Sequence, residues 1–449
     1  MKSLGRITRF LAAGALALAT LCLVNPAFAA DRLTLKDGRV LEGEIVRELD
    51  GVIWFKSGGA TIMYTPSEYS KLERDTGAGE KKEDPASTQP AVKPAERTEE
   101  AKPRVGDRNK RAAVITFGDE ENGNMVGIYC TADVLRQAIP LLEQENVGIV
   151  VIRFKSGGGA LLELQKISDV IHNEFKPKFR VAAWIDSAIS AAAMSAHCIE
   201  EIYFTPQGNY GGCTAFYGAS LVAMKGRELE ELLFAMEKIS ARGLYDPKIM
   251  RAMQISADEA GFSALGVSPP TGALSADIDP DTGKVTWYQD ATTGKHVLNP
   301  SGGVNILTFD SVTAAKFKFS RGTAANLDQL ARAMGLTEVE WVGKQDRRFI
   351  WPVSKAEEMT LKFRQQTKID EANFRRYVAN LNEAIGRARA EQDPNNRGKF
   401  IGKAREALNM IRNMVRNNPN FIFFNWGTQE EYDRWLEEVE RVIRDSGRR

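Results

Sequence analysis

The chain has 449 residues, 43% of them apolar and 27% charged, which suits two or three packed domains and excludes wholesale disorder. Lys and Arg (60) nearly cancel Asp and Glu (59), and a net charge of +1 gives no electrostatic case for nucleic acid as the main partner. Three His and four Cys are too few for a metal centre rich in either residue or for a disulfide scaffold, so no metal is implied.

Residues 1–29 follow the grammar of a secretory signal peptide. Lys2, Arg6 and Arg9 make a basic start, residues 11–24 an apolar run, and Ala27-Phe28-Ala29 a small-x-small cleavage site. The run falls short of the roughly 18 apolar residues that a spanning helix needs. Cys22 follows Leu21, where a lipoprotein site needs a small residue, so it reads as a bystander. The expected mature protein is exported to the periplasm or cell envelope and keeps Cys130, Cys198 and Cys213, an odd number that leaves at least one thiol unpaired.

Residues 30–74 read as four or five short strands. Asp37-Gly38 and Asp50-Gly51 sit between apolar runs, a strong hairpin signal, and suggest a small SH3-like barrel. Residues 75–110 carry four prolines, many charges and no aromatic residue, the composition of a disordered linker. From residue 111 strands and helices alternate: strands at 113–117, 147–152, 180–185 and 201–204, helices at 132–144, 161–175 and 189–198. That order predicts an α/β domain over 111–345 with a mostly parallel, layered sheet. Residues 268–303 look like an insertion of turns and a hairpin. Asp277, Asp279 and Asp281 alternate there, but Thr282 and Tyr288 stand where a calcium loop needs Gly and Glu, so a solvated turn is expected. Residues 346–449 carry apolar stripes at helical spacing, such as Phe374, Val378, Leu381, Ile385 and Ala388. They predict a helical region covering a core.

Two segments carry chemistry. Lys155-Ser156-Gly157-Gly158-Gly159 follows a buried strand and precedes a helix, a place where glycine amides are free to face an oxyanion. No Gly-Lys-Ser/Thr follows, and no later glycine is in register, so neither a nucleotide phosphate loop nor a dinucleotide fingerprint is present. Asp186 to Met194 then runs from strand to Ala-rich helix. Ser190 in the first turn has the next backbone N–H available for an oxyanion hole, whereas Ser187 is better suited to cap the helix.

Together these segments resemble the Clp/crotonase-fold serine proteases, above all the NfeD-type membrane-associated proteases and signal peptide peptidase A. Ser156-Gly157-Gly158-Gly159 matches the family's Ser/Thr-Pro-Gly-Gly turn with Gly157 in place of Pro. Ser190-Ala191 matches the nucleophile turn with Ala192 in place of Gly. Pro206 lies at the expected spacing, Gly211-Gly212 stands for Ile-Gly, and residues 307–336 look like the closing segment. The resemblance spans about residues 111–342. It implies Ser190 as nucleophile, with the N–H groups of Gly158 and Ala191 as the oxyanion hole. The position where a Clp-type triad carries its His is Ala215, and His197 stands two helical turns from Ser190, so a His base is not expected; His172 and His296 have no motif around them. The resemblance instead implies a Lys general base kept neutral by burial, with Lys225 the first choice and Lys238 the alternative. The function expected is an exported Ser-Lys peptidase acting on hydrophobic or membrane-derived peptides. Its partners would be a peptide or membrane-protein substrate, a membrane-associated protein and further copies of itself. The alternative is an inactive, protease-like envelope scaffold.

Overall fold

The computed structural model describes residues 31–36, 39–49, 52–57, 60–64, 69–74, 107–121, 123–217, 222–255, 272–300 and 306–448. The signal-peptide segment, most of the linker and the Asp-Gly turns at 37–38 and 50–51 lie outside them. The chain is mixed α/β and divides into two compact units, Met1–Glu99 and Glu100–Arg449.

In the first unit, β1 (Asp31–Leu35), β2 (Val40–Leu49), β3 (Val52–Ser57), β4 (Ala60–Tyr64) and β5 (Tyr69–Glu73) form an antiparallel sheet in the order β4-β3-β2-β1-β5. Alternation along β1 turns Leu33 and Leu35 inward, where they pack with Phe55. Pairing among the described residues runs from edge β4 to edge β5, with no ladder between those two edges.

The second unit is built on β6 (Arg111–Phe117), β8 (Ile149–Ser156), β10 (Arg180–Ile189) and β11 (Glu201–Gly211), which lie side by side and parallel in the order β11-β10-β8-β6. A short ribbon of β7 (Met125–Val126) and β9 (Gly158–Gly159) stands beside them. Every residue of β6 is buried, and β8 is nearly so, because both faces are covered. On one face lie α1 (Ala132–Gln144), α2 (Leu164–Asp169) and α3 (Ala191–Ala196), with Leu135, Ile167 and Met194 in the main core. The other face packs Val114, Val151, Trp184 and Tyr203 against Leu330 and Trp351.

Three strands run past their expected ends, β8 by continuing to Ser156. β10 continues through Asp186 and Ser187 to Ile189, with a register shift at Asp186, and β11 continues through Pro206 to Gly211. The expected helix at 161–175 is a 3-10 turn, α2 and a π turn over Val170–Phe175. Next come α4 (Gly226–Arg242), α5 (Pro247–Gln254), α6 (Ser311–Lys316) and α7 (Leu327–Ala333). Between α5 and α6 a small antiparallel sheet joins Leu274–Ile278 to Val285–Tyr288 and His296–Asn299. The Asp279 carboxylate accepts from the N–H groups of Asp281 and Thr282 and serves a turn, whereas the Asp277 carboxylate accepts from the Lys295 N–H at 2.8 Å.

The chain ends in α8 (Lys355–Ala390), α9 (Pro394–Asn417), α10 (Phe421–Trp426) and α11 (Gln429–Arg448). Leu381, Ile385, Leu408, Ile411 and Ile443 close a helical core of their own. The first turns of α8 belong to the α/β layer instead. Glu357 is fully buried and accepts from the Thr116 N–H at 2.7 Å and the Thr116 hydroxyl at 2.8 Å. Arg364, also buried, donates to the Thr116 carbonyl at 2.8 Å and to its hydroxyl. Burial raises the Glu357 carboxyl above its ordinary value, and the nearby Arg364 opposes the shift. The three described cysteines, Cys130, Cys198 and Cys213, are buried and free. Among the described residues, no helix is long and apolar enough to cross a membrane.

Candidate active site

Ser190 is the single residue between the end of β10 and the start of α3. Its backbone has φ +56° and ψ −130°, a sparsely populated region for any residue with a side chain. Neighbouring hydrogen bonds hold it there. Its N–H donates to the Gly211 carbonyl at 2.9 Å, an extension of the β10–β11 ladder, and its carbonyl accepts from Met194 at 3.1 Å, the first bond of α3. The chain therefore changes from strand to helix within one residue. All six residues of α3 are fully buried, which explains a helix made almost wholly of Ala. The Ala191 N–H belongs to the first turn and has no acceptor within its own helix.

Gly158 lies against this corner. Its φ is +105°, and a Cβ at that position would fall 2.5 Å from the Ser190 Cβ and 3.0 Å from its Oγ. Both the backbone and the space require glycine, and the fold brings the glycine turn and the serine together as the sequence pairing anticipates. The Gly158 N–H donates to the Ser156 Oγ at 3.1 Å, and the Ser156 hydroxyl donates to the Asn124 carbonyl.

Ser187 is not a helix cap. It lies inside β10, in register with Lys155 of β8 and Asn209 of β11, and its hydroxyl donates to the Asn209 Oδ1 at 2.9 Å. The cap position belongs to Ser190. His197 is fully buried among Tyr210, Tyr245 and Phe319. Its Nδ1 lies 3.0 Å from the Tyr210 hydroxyl, which donates to the Ala193 carbonyl, so Nδ1 carries the proton as donor. Burial lowers its pKa to about 3. It is a neutral core residue. His172 lies in the π turn, His296 packs edge-on against Phe317, and Ala215 is buried.

The two candidate bases are placed differently from what a buried amine requires. Lys225 is the exposed residue before α4, and residues 218–221 that lead to it lie outside the described ones. Lys238 is exposed on α4, with its ammonium 4.4 Å from the centre of the Phe234 ring.

A polar group that no sequence motif marks lies at the register shift of β10. The Arg153 guanidinium stacks over Trp184 and Trp351 at 5.1 and 4.6 Å and pairs with Asp186 at 3.0 Å. The Lys155 Nζ stands 3.5 Å from Asp186 and 3.6 Å from Glu120. The signal available was the alternation of Arg153 and Lys155 along β8. Their carboxylate partner comes from the bulge in β10, which the sequence does not announce. Among the described residues, no group of three or more His, Cys, Asp or Glu side chains is placed to hold a metal ion.

No protein family matches the chain. No curated protein matches it either. Among solved structures, the chain is similar to a mutant of a membrane-bound stomatin-specific protease, with 14% identity over 50% of this chain and 83% of that chain and a TM-score of 0.32. It is similar to another mutant of that protease, in complex with a substrate peptide, with 14% identity over 50% of this chain and 78% of that chain and a TM-score of 0.33.

Proposed function

We propose that residues 111–345 form a serine peptidase domain of the Clp/crotonase type, akin to the NfeD-type proteases and signal peptide peptidase A, with Ser190 as its nucleophile. One observation carries the reading: a serine at φ +56° in a one-residue strand-to-helix corner, with a positive-φ glycine packed against its Cβ. Strained backbone of this sort concentrates at functional sites. In the reaction, the Ser190 hydroxyl adds to a peptide carbonyl while its proton passes to a base. The N–H groups of Gly158 and Ala191 hold the oxyanion. The C–N bond then breaks, the amine leaves with the proton, and water hydrolyses the ester left on Ser190.

Lys225 is the base in this proposal, and the Ser-Lys dyad forms when a bound substrate covers its amine. The substrate class is hydrophobic or membrane-derived peptide. The same proposal places the protein outside the cytoplasm as a homo-oligomer that meets a membrane-associated partner. An SH3-like barrel (30–74), a linker (75–110) and a helical region (346–449) flank the protease domain. The test is labelling by a fluorophosphonate. Wild type should label at Ser190, Ser190→Ala should not, and Lys225→Ala should label more slowly. Equal labelling of wild type and Ser190→Ala sinks the nucleophile. A second reading, an inactive scaffold of the same fold, draws support from the exposure of Lys225 and Lys238, since neither is buried as a lysine base of the expected kind would be. A folded wild type that neither labels nor cleaves unfolded peptides favours it.

A further inference from the structure

The Gly158 amide needs a support of its own, because glycine at φ +105° has no side chain to anchor it and a wide choice of backbone conformations. One side chain provides it. Ser156 is only 1% exposed and ends β8, in register with Ala188 of β10, two residues before the nucleophile. Its hydroxyl oxygen accepts the Gly158 N–H at 3.1 Å while its proton goes to the Asn124 carbonyl. Asn124 directly precedes β7, and β7 pairs with β9 in the register Met125 to Gly158. Ser156 therefore closes a ring: from β8, through its hydroxyl, to the chain entering β7, across the ribbon to Gly158, and back. Gly118 packs closely on the same residue: a Cβ added there would meet the Ser156 Cβ at 3.1 Å and the Lys155 carbonyl at 2.5 Å.

We infer that Ser156 is a positioning residue for the proposed reaction: its hydroxyl fixes where the Gly158 amide stands relative to Ser190. The assignment rests on Ser190 being the nucleophile. The Gly158–Ser156 bond is long and joins neutral groups, whereas a bond from the same N–H to an oxyanion is charge-assisted and roughly twice as strong. The amide thus stays aligned at rest and turns to the oxyanion as charge develops there, without Ser156 touching substrate.

The experiment measures fluorophosphonate labelling of the full chain as a function of reagent concentration, which separates reagent binding (KI) from the maximal rate of bond formation (kinact). Ser156→Ala removes the acceptor, and Ser156→Cys keeps a weaker one. Far-ultraviolet circular dichroism and melting temperature are recorded alongside. The expected order of kinact is wild type, then Cys, then Ala, with Ala at least tenfold below wild type and KI unchanged within twofold. Ser156→Ala labelling as fast as wild type overturns the inference. So does a loss confined to KI, or a loss in kinact that follows the melting temperature of the variants. A wild type that does not label at Ser190 overturns the nucleophile assignment itself, and this role with it.

Discussion

Replacing Ser190 by alanine and by glycine separates backbone strain from chemistry. The residue stands at φ +56° and ψ −130°, where a side chain costs about 1–3 kcal/mol. Alanine keeps the Cβ and therefore the strain. Glycine releases it but carries extra freedom in the unfolded chain, worth about 0.5–1 kcal/mol against alanine. The difference leaves Ser190→Gly more stable than Ser190→Ala by about 1 kcal/mol, although glycine at an ordinary strand or helix position gives the opposite sign. Urea unfolding of the two variants side by side, with equal dependence on denaturant, measures it. Neither variant should take a fluorophosphonate. A glycine variant less stable than the alanine variant by about 0.5–1 kcal/mol would mean an unstrained backbone at Ser190, and the structural argument for a nucleophile corner would fail with it.

Acid should weaken the fold through His197. Its pKa is about 3 when folded against about 6.5 when unfolded, so the unfolded chain binds the extra proton; this contribution is intact above pH 6.5 and falls as pH drops toward 3. Between pH 7.5 and 5 the loss from this residue is about 2 kcal/mol, and His197→Phe should flatten that slope in urea unfolding; an identical slope in the variant refutes the assignment. Thr116→Val should destabilise by about 2–3 kcal/mol, because Glu357 and Arg364 both lose a hydroxyl partner while staying buried. A change below about 0.5 kcal/mol in the same assay would show that the cluster carries no weight.

The parts of the site written in local chemistry were legible. A glycine run after an apolar strand and a serine before an Ala-rich helix are both turn signals, and the fold sets Gly158 against Ser190. The exact corner was not. Asp186-Ser187 has the composition of a helix start, but pairing with β8 and β11 on both sides carries the strand past it to Ile189. Tertiary ladders overrode a local capping preference. The surroundings of a lysine are a tertiary property as well, which is why Lys225 and Lys238 look plausible in sequence and stand exposed in the fold. Likewise, the burial of Glu357 and Arg364 is a tertiary property. Only the Thr116 backbone, more than 200 residues earlier, makes their burial intelligible.

The three buried thiols give unfolding a direction in time. Burial pushes Cys130 to about 12 and Cys198 to about 11, and raises Cys213 further, so thiolate is scarce at all three while the chain is folded. Cys213 also points its S–H at the Ser190 carbonyl, 3.6 Å away, so it is shielded only as long as the corner holds. Once the fold opens, three ordinary thiols appear together. Two of them can join to each other, and the third is left to react with another molecule. In an oxidising medium, opening is then followed by covalent trapping. In such a medium the working lifetime is set by how rarely the chain unfolds rather than by how favourably it refolds.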